Sequence, residues 1–234
     1  MLIADDLDEL ELLRARYLNS QSNNKSLALT LVPSFGCNFD CPYCFEDKHP
    51  SVMNENIQEA VLRLVDDRLS KIDQLTISWF GGEPLVGKKA LVRLSHAFIE
   101  RCQRFNVKYT ASIITNGYLL TEQTCQQLKK ARISSAQVTI DGPPEVHNRM
   151  RPLVDGSGTF WQIITNLHHA IKYFSVGLRV NLDAENVHDA EALLQILASE
   201  GFSGKIGVYP GQIIAIKDGQ PAPSATYKPR NRSV

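Results

Sequence analysis

Residues 35–44 read FGCNFDCPYC and set Cys37, Cys41 and Cys44 at gaps of three and two residues. The run before them, SLALTLVPSF (26–35), is apolar, partly β-branched and stopped by Pro33, which predicts a strand over residues 27–32. The cysteines therefore occupy the loop that leaves the first strand. Asn38, Asp40 and Pro42 lie between them and make this a polar turn, which argues against three unligated core cysteines. Thiolates are ligands for soft metals and iron–sulfur clusters. Three are one short of the usual four. His49 lies five residues beyond Cys44, so a Cys3His zinc site stays open on spacing alone.

Outward from this loop the chain alternates. NENIQEAVLRLVDDRLS (54–70) has a 3.6-residue apolar period with Asn54 as N-cap, and strand LTISWF (75–80) follows it. Then come helix 88–105, strand 107–115, a helix opened by Thr121, strand 135–140, helix 158–174, strand 176–183, helix 186–200 and a short strand at 205–210. Strands separated by helices imply parallel pairing, in either an open doubly wound sheet or a barrel-like one. No Gly-x-Gly-x-x-Gly turn follows the first strand, which weakens the dinucleotide-binding version. In both architectures the loops after the carboxyl ends of the strands share one face. The cysteine loop, GGEP (81–84), TNG (115–117), DGPPEVHNRMRP (141–152) and NLDAEN (181–186) all fall there, so one site is expected.

Composition narrows the function. The 234 residues are 43% hydrophobic, enough for one large globular domain, and 25 basic side chains balance 25 acidic ones. No charge excess points to nucleic acid or an anionic membrane. The start, MLIADDLDELELL, is acidic and helical, unlike a signal peptide, and no apolar run reaches the length of a membrane span. These features place the chain in the cytoplasm, where clustered cysteines favour metal or redox chemistry over disulfides.

The combination of Cys37-x-x-x-Cys41-x-x-Cys44 with Tyr43, then Gly81-Gly82-Glu83-Pro84, Thr115-Asn116-Gly117 and Asp141 through His147 to Arg151-Pro152 resembles the radical S-adenosylmethionine (SAM) enzymes. It is most similar to their peptide- and protein-modifying branch, which includes anaerobic sulfatase-maturating enzymes and carries a C-terminal SPASM domain. The resemblance spans about residues 10–210. It implies an α/β fold, a partial (β/α)6 TIM-barrel-like core, and two cofactors. In such enzymes three cysteines hold a [4Fe–4S] cluster, and S-adenosylmethionine takes the fourth iron. Reductive cleavage then gives a 5′-deoxyadenosyl radical that abstracts a substrate hydrogen. The missing fourth ligand would thus be a place kept for the cofactor. The resemblance also implies a peptide or protein substrate and an electron donor such as flavodoxin or ferredoxin.

Carried over residue by residue, the resemblance makes Cys37, Cys41 and Cys44 the metal ligands. Tyr43 lies near cluster and adenine, and Gly81, Gly82, Glu83 and Pro84 form the edge that binds the methionine ammonium. Arg151 contacts the cofactor carboxylate or ribose, where a forked guanidinium gives directional bonds. Asn116 and Asp141 sit at strand ends on the same face. Asn181 either bonds the ribose or carboxylate or caps the following helix. His168 and His169 fall in a helical pattern and read as structural or solvated; Cys102 and Cys125 read as small core residues.

Residues 1–26 are expected as an N-terminal helix (5–18) and linker, 27–216 as the core domain, and 217–234, rich in proline and polar residues, as an extended or disordered tail. On this reading the core lacks its last helix and any SPASM domain, so the chain is a truncated product, a fragment or half of a split enzyme. Two functions follow: a radical SAM enzyme completed by a separate SPASM-like or recognition partner, or a non-catalytic remnant that keeps the fold.

Overall fold

A computed structural model describes residues 8–22, 24–184, 186–217 and 220–223. Six parallel strands, β1 (Ser26–Leu31), β2 (Gln74–Trp79), β3 (Lys108–Thr115), β4 (Ile133–Thr139), β5 (Ser175–Leu182) and β6 (Ile206–Gln212), form one sheet in the order of the sequence. Helices α2 (Glu55–Leu69), α3 (Lys88–Arg104), α4 (Glu122–Lys130), α6 (Phe160–Ala170) and α7 (Ala190–Ser199) connect them. An unbroken 1-to-6 order of parallel strands is the (β/α)6 arrangement, with β1 and β6 at its two ends. Local chemistry starts the helices where expected. Asn54 and Thr121 accept backbone N–H bonds from Ile57 and Thr124, capping α2 and α4.

Strand alternation divides the sheet into two unlike faces. Leu75, Ile77, Trp79, Ala111, Ile113, Val138, Leu178 and Val180 are buried against the helices in one continuous core. The other face carries Thr30, Ser78, Ser112, Gln137, Thr139, Arg179 and Asn181 at the alternate positions. A closed barrel fills its interior with branched apolar residues. Here most of the inner face is only half-buried, and its hydrogen-bonding groups are interrupted by the apolar Ile114 of β3.

Several elements differ from the sequence reading. DGPPEVHNRMRP is expected as a loop but contains a short helix, α5 (Pro144–Met150), because Pro144 at the first helical position has its φ already set. The helix expected from Asn186 opens with one 3-10 turn, Val187–Asp189, before α7. The N-terminal helix α1 runs Glu9–Ser22 and is exposed wherever its side chains are described. Of the expected tail, Gln220–Pro223 forms β8 and pairs antiparallel with β7 (Ile214–Lys217); 218, 219 and 224–234 lie outside the described residues. Among the described residues no helix follows β6, and no helix is long and apolar enough to cross a membrane.

Ile113 is fully buried in a central strand. Replacing it with Ala should cost about 2–5 kcal/mol in urea unfolding; a change below about 1 kcal/mol would show that the helix-side face is not the core.

A candidate cofactor site at the carboxyl ends of the strands

The cysteine loop is held by backbone and side-chain contacts on every side. Phe39 is buried to 1% exposure, packs edge-on to Tyr118, and has the Arg151 guanidinium over its ring at 5.7 Å. Asp40 donates its N–H to Pro152 O at 2.9 Å and Val154 donates to Asn38 O at 3.1 Å, so the loop is stitched to the segment after α5. Lys48 Nζ donates to Phe39 O at 2.9 Å. Asn116 Nδ2 donates to Asn38 Oδ1 at 2.8 Å and lies 3.8 Å from Cys37 Sγ.

Gly81 and Gly82 form the opposite wall. Gly81 has φ +129°, and a Cβ there would lie 2.5 Å from Ser34 O; a Cβ on Gly82 would lie 2.5 Å from Phe35 O. Any side chain would push the two loops apart. Glu83 turns the other way. Its carboxylate is completely buried and accepts from Leu85 N, Thr115 Oγ1 and Asn116 N at 2.8–2.9 Å, with burial pushing its pKa up and those donors opposing. It clasps the end of β2 to the end of β3.

Tyr43 joins the cysteine loop to the far half of the sheet. Its hydroxyl donates to Asp141 Oδ2 and accepts from Arg151 Nη1 at 2.5 Å and Asn181 Nδ2 at 3.2 Å. Asp141 Oδ1 accepts from Asn181 N at 3.1 Å, and Arg151 Nη1 lies 3.9 Å from Asp141 Oδ2. Burial pushes the Asp141 carboxyl up while Arg151 and the Tyr43 hydroxyl pull it down. Burial disfavours a charged Arg151, but Tyr43, Cys41 and Asp141 outweigh it, so the guanidinium stays protonated. Behind this group, Asp141 N donates to His147 Nδ1 at 3.2 Å, which leaves Nε2 to donate to Thr159 Oγ1 at 3.0 Å; Thr159 in turn donates to Arg151 O at 2.7 Å.

These walls enclose a cavity of about 350 Å³. Of the residues picked from the sequence, Cys37, Cys41, Cys44, Tyr43, Gly81, Gly82, Asn116, Arg151 and Asn181 line it. Glu83, Pro84 and Asp141 do not; Glu83 and Asp141 brace it from behind. Asn181 reaches Tyr43 rather than capping a helix; Asn186 instead donates to the Asp141 and Asn181 carbonyls at 2.9 and 2.8 Å. Thr139, Gln137, Arg179, Lys48 and Gln212 also line the cavity. Thr139 opens the motif Thr139–Pro143; the other four carry no motif, and only their strand phase or nearness to the cysteines could have pointed to them. His168 and His169 lie away from it, beside Glu200 and Glu122, and Cys102 and Cys125 are core residues.

The Radical SAM superfamily profile matches residues 31–197, from the last residue of β1 into α7. This chain belongs to the radical SAM superfamily. The family works with a [4Fe–4S] cluster and S-adenosylmethionine. The radical SAM chain is 30% identical over 166 residues to an Fe-coproporphyrin III synthase of Methanosarcina barkeri, covering 70% of itself and 39% of that protein. It is 27% identical over 158 residues to a cysteine-type anaerobic sulfatase-maturating enzyme of Clostridium novyi, covering 64% and 41%. In fold it matches the structure of native anSMEcpe with bound AdoMet and Cp18Cys peptide, with TM-score 0.71, 22% identity, and coverage of 82% of this chain and 52% of the other. The chain thus spans about two fifths of the length of these curated relatives.

The residues present fit the two cofactors. Among the described residues no three His, Cys, Asp or Glu side chains converge on a single ion, and His49 stacks on Phe35 at 4.8 Å. A Cys3His zinc site needs all four ligands within about 2.3 Å of one metal, and His49 is stacked on Phe35 instead. A cluster instead offers each thiolate its own iron and asks for three cysteines around a larger space. Among the described residues two buried donors, Asn38 Nδ2 in the loop and Nε of the cavity-lining Arg151, have no partner. Burial pushes the Cys37 thiol up to about 11, and Cys41 is raised for the same reason, so metal uptake must release protons.

Burial holds the His147 imidazole well below its ordinary 6.5, so the folded chain keeps it neutral where an unfolded chain binds a proton. Stability is therefore lost as pH falls below about 6.5, with a slope of up to about 1.4 kcal/mol per pH unit from this residue. Urea unfolding of wild type and His147→Gln should show the two stabilities converging from pH 7 to 5; a constant gap would contradict a buried neutral His147.

Proposed function

We propose that the chain carries a site for reductive cleavage of S-adenosylmethionine and uses it to modify a side chain of a peptide or protein. The observation that supports this most is the gathering of three thiols, a Gly-Gly backbone wall and a committed arginine around one cavity at the carboxyl ends of a parallel sheet. When bound, the cluster and S-adenosylmethionine supply one-electron cleavage of a sulfonium carbon–sulfur bond and a 5′-deoxyadenosyl radical.

In this reading Cys37, Cys41 and Cys44 hold the cluster. The backbone of Gly81 and Gly82 lets the amino-acid end of S-adenosylmethionine approach closely, with Glu83 and Pro84 fixing the course of that wall. Arg151 and Asn181 present donors to its carboxylate or ribose, and Tyr43 and Asn116 flank the cluster. Asp141 keeps Arg151 charged and Tyr43 in place. Residues 27–216 carry this chemistry, residues 1–26 precede it, and residues 217–234 follow it.

The peptide reading draws on two features. The half-buried inner face of the sheet sets Gln137, Thr139, Arg179 and Asn181 beside apolar Phe80 and Ile114, a mixed wall able to bond backbone amides and pack a side chain. The relatives also include cysteine-type and serine-type sulfatase-maturating enzymes, and the fold matches SuiB bound to precursor peptide SuiA with TM-score 0.54. Electrons would come from a flavodoxin- or ferredoxin-type donor, and a SPASM-like or recognition partner would complete substrate binding. A cytoplasmic setting suits such an oxygen-sensitive site.

Anaerobic reconstitution with iron and sulfide, followed by S-adenosylmethionine and dithionite, should release methionine and 5′-deoxyadenosine. A cluster that forms but yields no 5′-deoxyadenosine would overturn the enzyme reading and leave a binding module. In Cys41→Ala the brown cluster absorbance should be lost; if it persists, the ligand assignment is wrong.

A further inference from the structure

Among the described residues three cations line the cavity, and two are already compensated. Lys48 Nζ is 3.6 Å from Asp40, and Arg151 is committed to Tyr43 and Asp141. Glu46, the one carboxylate among the described residues on the cavity wall, lies in the field of Lys48. Arg179 differs. It stands in the middle of β5, half-buried, with Nε donating to Asn181 Oδ1 at 2.8 Å. Among the described residues its Nη1 and Nη2 have no partner, and no carboxylate lies within ion-pair distance.

The surroundings hold that guanidinium in one place. Gly211, on the neighbouring strand β6, leaves the space it fills: a Cβ at 211 would lie 2.7 Å from Nη2 and 2.8 Å from Cζ. Tyr209, paired with Arg179 in the sheet, lays its ring over Gly177 and donates from its hydroxyl to Gln137 Oε1 at 2.6 Å. That bond fixes Gln137 with its Nε2 donor uncommitted. Gln137 and Arg179 both line the cavity; Arg179 is level with Thr139, its partner on β4, and Gln137 lies two residues earlier on that strand, on the same concave face. A fixed fork of donors beside an amide donor, its charge reaching the buried Asp141 from beyond ion-pair distance, matches a carboxylate.

We propose that Arg179, oriented by Asn181 and Gly211 and assisted by Gln137, is a subsite that binds a carboxylate of the substrate, either an acidic side chain or a chain terminus. This rests on the cavity's being the place where substrate meets cofactor, but it is read by binding and does not require turnover. Arg179 is a specificity-determining residue, and an acidic group a fixed distance from the reacting carbon would set which side chain is presented.

The test uses the reconstituted chain with S-adenosylmethionine bound, and three probes: Ac-Ala-Glu-Ala-NH2, Ac-Ala-Gln-Ala-NH2, and Ac-Ala-Ala-Ala with a free C-terminal carboxylate. Titration calorimetry should give at least about tenfold tighter binding for one carboxylate probe than for the glutamine probe; which one wins identifies the source. The preference should fall to within about twofold in Arg179→Gln, survive in weakened form in Arg179→Lys, and shrink in Gly211→Ala, with cluster absorbance retained. Equal affinities in the wild type, or an unchanged preference in Arg179→Gln or in Gly211→Ala, would overturn the proposal. Equilibrium dialysis of S-adenosylmethionine separates the remaining source. A tenfold loss of S-adenosylmethionine affinity in Arg179→Gln, with the peptide preference intact, would assign Arg179 to the cofactor and also overturn it. Absence of 5′-deoxyadenosine with the carboxylate preference present would count against the reaction and not against the subsite.

Discussion

The Tyr43 hydroxyl sits where four parts of the chain meet. It belongs to the loop between Cys41 and Cys44, yet it bonds to Asp141 after β4, Arg151 after α5 and Asn181 on β5. Each of those partners is buried or nearly so, and a buried charge without its partner is costly. Arg151 stays charged because Asp141, Tyr43 and Cys41 surround it, and Asp141 keeps its place because Asn181 N and Tyr43 occupy its two oxygens. The cysteine loop can take this position only when the far half of the sheet is folded.

This arrangement positions the cysteine loop by protein contacts alone. Phe39 plugs the core, Asp40 and Val154 stitch the loop to the segment after α5, and Gly82 lets the β2 loop pack against residues 35 and 36. Glu83 and His147 act at one remove: the first ties β2 to β3 and the second ties Asp141 to Thr159 and so to the Arg151 carbonyl. Two buried polar networks, one on each half of the sheet, therefore set the cavity walls. The sheet's inner face continues below them and leaves room where a closed barrel has packed side chains.

Much of this was legible from pattern. The alternation of strands and helices predicts the parallel sheet because each element keeps its own period, and strand-end loops share a face by geometry. The cysteines, Gly81, Gly82 and Arg151 were readable because their chemistry is unusual for a loop. Glu83 was not: nothing in GGEP shows that its carboxylate turns inward to the backbone N–H of Asn116, just after β3, a contact made across 33 residues. Arg179 and Gln137 were hidden for a different reason. They look like ordinary strand residues until the sheet shows that they share a cavity wall. The β7–β8 pairing was obscured by prolines at 221 and 223.

Hydrogen exchange on the metal-free chain tests most directly whether the protein holds the cysteine loop ready for its cofactors. The amides of Asp40, Glu83, Asn116 and Asn181 are each bonded across elements in the contacts that fix the cavity. They should exchange as slowly as the amides of β2 and β3, through global unfolding. Random-coil exchange at Asp40 and Asn181 with the central strands still protected would show that the metal organises the site, and would contradict this account.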